Sequence, residues 1–160
     1  MLFLLPEIAL TTQLVQRLTA YFGNEVAVFH SKYTNNERIE VWNQVLENSP
    51  KAKVVIGVRS ALFLPFSNLG CIIVDEEHEQ TFKQNDPAPR YHARDAAIVL
   101  AKQHGAKVVL GSATPSLETY YNVQSNKYGL TELKVRYGNV VLHEIQLVDL
   151  KDKYFRKKMS

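Results

Sequence analysis

The residues Cys71, Ile72, Ile73 and Val74 run directly into Asp75, Glu76, Glu77 and His78. A buried strand that ends in this way delivers hard oxygen ligands and a base to one spot. An acid there can hold Mg²⁺, usually through water, while the next carboxylate orients a water for attack on a phosphoryl group. The bland alternative is a strand that ends in solvated acids before a turn, which suits a single Asp better than four polar residues in succession. Two other apolar runs end in polar groups. In "VVLGSATPS" the residues Ser112, Ala113 and Thr114 follow a strand. This stretch also reads as a helix start, with Thr114 as N-cap and Pro115 at the first helical position, and that geometry would leave hydroxyls beside the acids. In "VIGVRSALFLPF", Arg59 and Ser60 follow a strand, and Arg, Ser and helix-starting N–H groups suit a phosphate backbone.

Elements must exist to position these groups. Predicted strands are 2–5, 26–30, 54–58, 71–74 and 107–110, each a nearly continuous apolar run, as in parallel strands covered on both faces. Between them, Leu14, Val15, Leu18 and Phe22 recur at helical spacing, as do Ile39, Trp42, Val45 and Leu46, which places Trp42 in the core. The "TNNE" at Thr34–Glu37 is a capping-box pattern. A third helix is predicted over 91–104, closed by Gly105. Alternating strands and helices imply an α/β fold, a three-layer αβα sandwich around a mainly parallel sheet. Ligands then sit outside the carboxyl ends of the strands, where all three polar signatures fall. After about Asn126 the pattern turns to β-type runs without helical partners and ends in a basic stretch.

The composition of the 160 residues, 46% hydrophobic and 22% charged, is that of an ordinary globular chain large enough for one sizeable core. No apolar run approaches the roughly 20 residues that span a bilayer, and "MLFLLP" reads as a strand. The single cysteine, Cys71, cannot form an internal disulfide, which fits a reducing, cytoplasmic setting. A net charge of +3 is compatible with nucleic acid without requiring it. His30, His104 and His143 have no partners at metal-site spacing, and the basic tail reads as a solvated segment.

Taken in order, "LLPEIALTTQ" (4–13), "HSKYTNNER" (30–38), "VVIGVRSALFLPF" (54–66), "IIVDEEH" (72–78), "FKQ" (82–84), "RYHARDAA" (90–97) and "GSATPSLE" (111–118) resemble the PriA family, superfamily 2 DNA helicases of bacterial replication restart. The resemblance implies a RecA-like P-loop NTPase helicase domain that uses ATP and Mg²⁺. Within it, Asp75 would hold Mg²⁺ through water, Glu76 would activate the hydrolytic water, and His78 would sense nucleotide and relay to DNA. Ser112, Ala113 and Thr114 would couple hydrolysis to strand movement. Pro6, Glu7 and Thr11, with Arg59 and Ser60, would line the single-strand path. Between Glu79 and Arg94 lies what resembles an aromatic-rich loop, whose Phe82, Lys83, Arg90, Tyr91, His92 and Arg94 would stack on bases or contact phosphates. Implied partners are single-stranded and forked DNA, other primosome proteins and single-strand-binding protein, with no membrane. The family's zinc belongs to a region that these residues do not include.

Two departures qualify the resemblance. Pro89 stands in "DPAPRY" where many members carry a further aromatic, which leaves Phe82 and Tyr91 as the stacking residues. Residues 86–89 can equally be a stiff surface turn. No G-x-x-x-x-G-K-[ST] occurs in the sequence, and no glycine is followed directly by Lys. The expectation is therefore an excised central fragment: 1–126 as a partial first RecA-like domain and 127–160 as a connection toward a second motor domain. Such a fragment would be inactive alone. The alternative is a non-enzymatic DNA- or protein-binding module.

Overall fold

The computed structural model describes residues 1–7 and 12–134. Thr11, His143, the basic tail and most of the connection expected over 127–160 lie outside the described residues. The five apolar runs form strands β1 (Leu2–Leu4), β2 (Val26–Phe29), β3 (Val54–Gly57), β4 (Cys71–Val74) and β5 (Lys107–Leu110). They pair in the order β2-β3-β1-β4-β5, every neighbour parallel. Three strands stop one residue short of their predicted ends. Leu5, His30 and Val58 each follow a strand, at the edge where the chain leaves the sheet.

Helices α1 (Thr12–Phe22), α2 (Asn35–Leu46), α3 (Ala93–His104) and α4 (Leu117–Gln124) complete the α/β fold. On one face, Val41 and Val45 of α2 and Ala93, Ala97 and Ala101 of α3 join Leu2, Leu4, Val55, Ile72 and Val74 in the main core. The alanines let α3 approach the sheet closely. On the other face, Leu14 and Leu18 of α1 pack on Leu5, Val54 and Ile56. That second layer is thinner than continuous apolar strands imply. Only β3 is buried at every position; alternate residues of β4 stay partly exposed, and no residue of β5 is fully buried.

The capping box at α2 is present. Thr34 Oγ1 accepts from the Glu37 N–H at 3.4 Å, and Glu37 Oε2 accepts from the Thr34 N–H at 2.7 Å. Thr34→Ala is expected to cost ~1 kcal/mol by chemical denaturation; an unmoved midpoint would mean the cap contributes nothing. Helix α3 starts two residues later than predicted, with His92 as N-cap, and ends at Gly105, whose φ of 62° is the left-handed cap that glycine adopts freely.

Trp42 is a correction. The helix carries two apolar stripes, and the sheet takes Val41 and Val45, which lie one turn apart. Trp42 stays 43% exposed, with Ile39 and Leu46 on the same outer stripe. It borders an open cleft of about 480 Å³ with Phe29, Arg38, Ile39 and Phe63.

Candidate active site

Backbone hydrogen bonds join the ends of β1, β4 and β5. Asp75 N–H donates to Leu4 O at 3.0 Å, Gly111 N–H to Val74 O at 2.8 Å, and Glu77 N–H to Gly111 O at 3.0 Å. The acidic turn therefore lies between the end of β1 and the start of the Gly111–Ser116 turn. Asp75 Oδ1 accepts from the Glu76 N–H at 3.1 Å and would stand 3.4 Å from a Cβ placed on Gly111. Glu76 has φ of +50°, an uncommon conformation for a residue with a side chain. This turn of the backbone sends three consecutive acids to different environments. Asp75 is half-buried at the sheet edge, Glu76 is partly exposed, and Glu77 is inside.

His78 joins the acids to the hydroxyl turn. Its Nδ1 lies 2.7 Å from Ser112 Oγ and its Nε2 3.3 Å from Thr114 Oγ1, with Glu76 Oε2 3.6 Å from Nδ1. Ser112 Oγ also accepts from the Thr114 N–H at 3.0 Å. Two signatures more than thirty residues apart in sequence thus become one constellation. Thr114 does not cap the following helix. Ser116 does, its Oγ accepting from the Thr119 N–H at 3.3 Å, because Thr114 is held by His78 and the chain enters α4 two residues later than predicted.

Glu77, given no role from the sequence, is the most heavily engaged side chain of the cluster. It is 1% exposed and accepts from Ser116 N–H at 2.7 Å, Ser116 Oγ at 3.0 Å, Thr119 Oγ1 at 2.9 Å and Arg94 NH1 at 3.0 Å. Burial pushes its carboxyl pKa up, but the Ser116 amide, Arg94 and the two hydroxyls outweigh burial and hold it below the ordinary value. Burial likewise opposes the charge on Arg94, and the carboxylates of Asp95 and Glu77 more than restore it.

Three residues assigned to DNA from the sequence, Arg94, Phe82 and Pro6, are interior. Arg94 is 8% exposed, with Nε on Asp95 Oδ1 at 2.8 Å and NH1 shared between Glu77 and Ser116. Its guanidinium is turned into the protein to neutralise a buried acid. Phe82 is 1% exposed, because the 3₁₀ turn Gln80–Phe82 folds it into the main core. None of the three presents itself to a strand of DNA. His92 is half-buried, and burial followed by the Arg94 charge lowers its pKa below the ordinary imidazole value.

The assigned Arg59, Ser60, Lys83, Arg90 and Tyr91 belong to two segments that side-chain contacts join. Lys83 and Arg90 are exposed, and Tyr91 meets the 57%-exposed Phe63 edge-to-face at 5.1 Å. Arg59 NH1 donates to the carbonyls of Thr81 and Lys83 at 3.1 and 3.2 Å, which fastens the aromatic-rich segment to the Arg59–Phe63 turn. Ser60 lines the cleft beside Phe63. Pro6 is fully buried just beyond β1, and Glu7 beside it is exposed.

The described residues include no group of three or more His, Cys, Asp or Glu able to hold a metal by themselves. An Mg²⁺ ion does not need one, since one or two carboxylates with water and substrate phosphates are its usual shell. The half-buried Asp75 carboxylate at the sheet edge fits that donor set. No helix among the described residues is long and apolar enough to cross a membrane.

A motif-bearing parallel sheet with an Asp-Glu-Glu-His turn bonded to a Ser-Ala-Thr turn defines a class. The family model for DEAD/DEAH box helicases matches residues 1–123, and the chain belongs to that family. Within it, the chain is similar to the replication restart protein PriA of Bacillus subtilis, 46% identical over 93% of this chain. The PriA of Haemophilus influenzae is 48% identical over 99%, and that of Rickettsia prowazekii 49% over 93%. The chain spans 18–22% of the length of these relatives. The PriA resemblance drawn from the motifs is borne out across nearly the whole chain, as is the RecA-like α/β fold.

Proposed function

We propose that these residues form the Mg²⁺–ATP-handling part of a cytoplasmic DNA helicase of replication restart, acting with primosome proteins and single-strand-binding protein at forked DNA. The observation that carries the reading is the His78 bridge, which ties the acid that would activate water to the hydroxyl turn that would follow strand movement. Mg²⁺ bound with ATP would neutralise charge on the phosphates. Asp75 would hold the ion's water shell at the sheet edge. Glu76, partly exposed beside it, would orient the attacking water and take its proton. His78 would report the occupied site to Ser112 and Thr114. Single-stranded DNA would run over the Phe63–Tyr91 pair, with Lys83 and Arg90 on its phosphates and Ser60 nearby. Arg59 would act through the loop it fastens.

The test is ATP hydrolysis with Mg²⁺ by the full-length protein carrying these residues, with and without single-stranded DNA. Stimulated turnover is expected; turnover indifferent to DNA would overturn the reading. The isolated 160 residues, lacking a Gly-Lys-[Ser/Thr] loop, should show no hydrolysis.

For the isolated chain, the exposed Phe63, Lys83 and Arg90 with the half-buried Tyr91 favour a second reading, a non-enzymatic DNA-binding module. Two or three phosphate contacts predict that log K against log salt falls with a slope of about −1.5 to −2 on single strands. No binding at low salt would remove this reading.

A further inference from the structure

Glu77 and Arg94 form a buried ion pair that the hydrolysis chemistry does not use. Glu77 directly follows Glu76, so whatever fixes Glu77 fixes the strained residue before it. Its carboxylate is bound by α3 through Arg94, and by the start of α4 through Ser116 and Thr119. Arg94, in turn, lies three residues beyond Tyr91 and in the first turn of α3. The segment before that helix carries Lys83, Arg90 and Tyr91, and Arg59 pins its other end through the carbonyls of Thr81 and Lys83. A displacement of this surface segment therefore has one buried, charge-assisted route to the Glu76 backbone.

We propose that Glu77 and Arg94 are positioning residues that transmit the state of the DNA-facing segment to Glu76, setting how far DNA accelerates hydrolysis. The inference rests on the DNA-stimulated hydrolysis proposed above. Neither residue touches substrate. Arg94 moves with α3, Glu77 follows it, and the left-handed Glu76, bonded locally to Asp75 Oδ1 and the Glu79 N–H, shifts with the turn that the Glu77 side chain anchors. A packed pair with all its hydrogen bonds made has discrete arrangements rather than a continuous range, which is what a relay requires.

The experiment is steady-state ATP hydrolysis by the full-length protein as wild type, Glu77→Gln and Arg94→Lys. Turnover, the KM for ATP and the DNA concentration for half-stimulation are measured, with DNA affinity obtained separately by anisotropy of a labelled oligonucleotide. The ratio of DNA-stimulated to DNA-free turnover should fall about 10- to 100-fold, the scale of an ångström-sized misplacement of a catalytic group. KM for ATP and DNA affinity should stay within about twofold. Thr119→Val, which removes one hydroxyl from Glu77 at nearly constant volume, should lower the same ratio by about two- to tenfold. It keeps the inference testable if either charge variant does not fold.

Stimulated and DNA-free turnover falling in equal proportion would overturn the inference, because the pair would then be structural only. A parallel loss of DNA affinity would also overturn it, by making Arg94 a direct contact. Wild-type protein that DNA does not stimulate would instead defeat the reading on which the inference rests.

Discussion

Glu76→Gln in the full-length protein is expected to lower ATP turnover by about 10²–10⁴-fold, the range of a lost general base. DNA affinity should stay near that of wild type. Glutamine keeps the shape and hydrogen-bonding ability of the side chain but cannot accept the proton of an attacking water. Glu76 is the suitable base because it is partly exposed and, unlike Glu77, carries no buried ionic partner. Asp75 is turned against Gly111 at the sheet edge, and Glu77 is consumed by Arg94, Ser116 and Thr119. The separation of Glu76 from the Phe63–Tyr91 surface is the reason DNA affinity should survive: the acids follow β4, whereas the aromatics belong to the Arg59–Phe63 turn and the segment before α3. Asp75→Ala should abolish turnover by a different route, visible as a raised Mg²⁺ requirement before activity is lost. If the Glu76 variant loses DNA binding and turnover together while remaining folded, the cluster faces DNA and not nucleotide.

Arg94→Met is expected to destabilise the fold by about 3–5 kcal/mol, a large share of a domain's stability. The cause is the acid left behind. Glu77 is fully enclosed, and methionine cannot return the charge or the hydrogen bond that Arg94 supplies at 3.0 Å. Glu77→Gln should cost less, about 1–3 kcal/mol, since Arg94 retains Asp95 and Ser116. The same acid predicts a pH dependence. Its folded pKa lies below the ordinary 4.5, so its contribution is fully present above that value and is lost as pH falls through the lower, folded value. Denaturation midpoints between about pH 6 and pH 3 should therefore fall less steeply in Glu77→Gln than in wild type. Identical slopes would mean that Glu77 gains nothing from its partners on folding.

Much of the fold and of the site is legible in the amino-acid sequence. The strands are apolar runs of a length that permits little else, and the capping box and Gly105 mark their helices by local chemistry alone. The meeting of the Asp-Glu-Glu-His and Ser-Ala-Thr turns follows once both are placed after parallel strands, because every such strand delivers its end to the same edge. The direction of each side chain is harder to read. Glu77 looks like its neighbours in sequence; its burial depends on the φ of Glu76 and on donors 17 to 42 residues away. A lone Arg at position 94, in a run of basic and aromatic residues, has the pattern of a DNA contact until the acid it neutralises is located. Phe82, amid polar residues, gives no sign of being turned inward by a 3₁₀ turn. For α2, the spacing supports either of two apolar stripes, and only the packing against the sheet selects Val41 and Val45 over Ile39 and Trp42. The signal that could have found Glu77 is electrostatic. Three adjacent acids at one strand end repel one another, and turning one inward onto an Arg relieves that repulsion.

The central claim is that the ends of β4 and β5 together hold the metal–nucleotide end of the motor. Fe²⁺ substituted for Mg²⁺, with ascorbate and peroxide, cuts a protein backbone beside the bound ion. In the full-length protein with ATP, cleavage should map to residues 74–76 and 111–114, should require the nucleotide, and should vanish in Asp75→Ala. Cleavage at other positions, or at these positions regardless of ATP and of Asp75, would contradict the assignment.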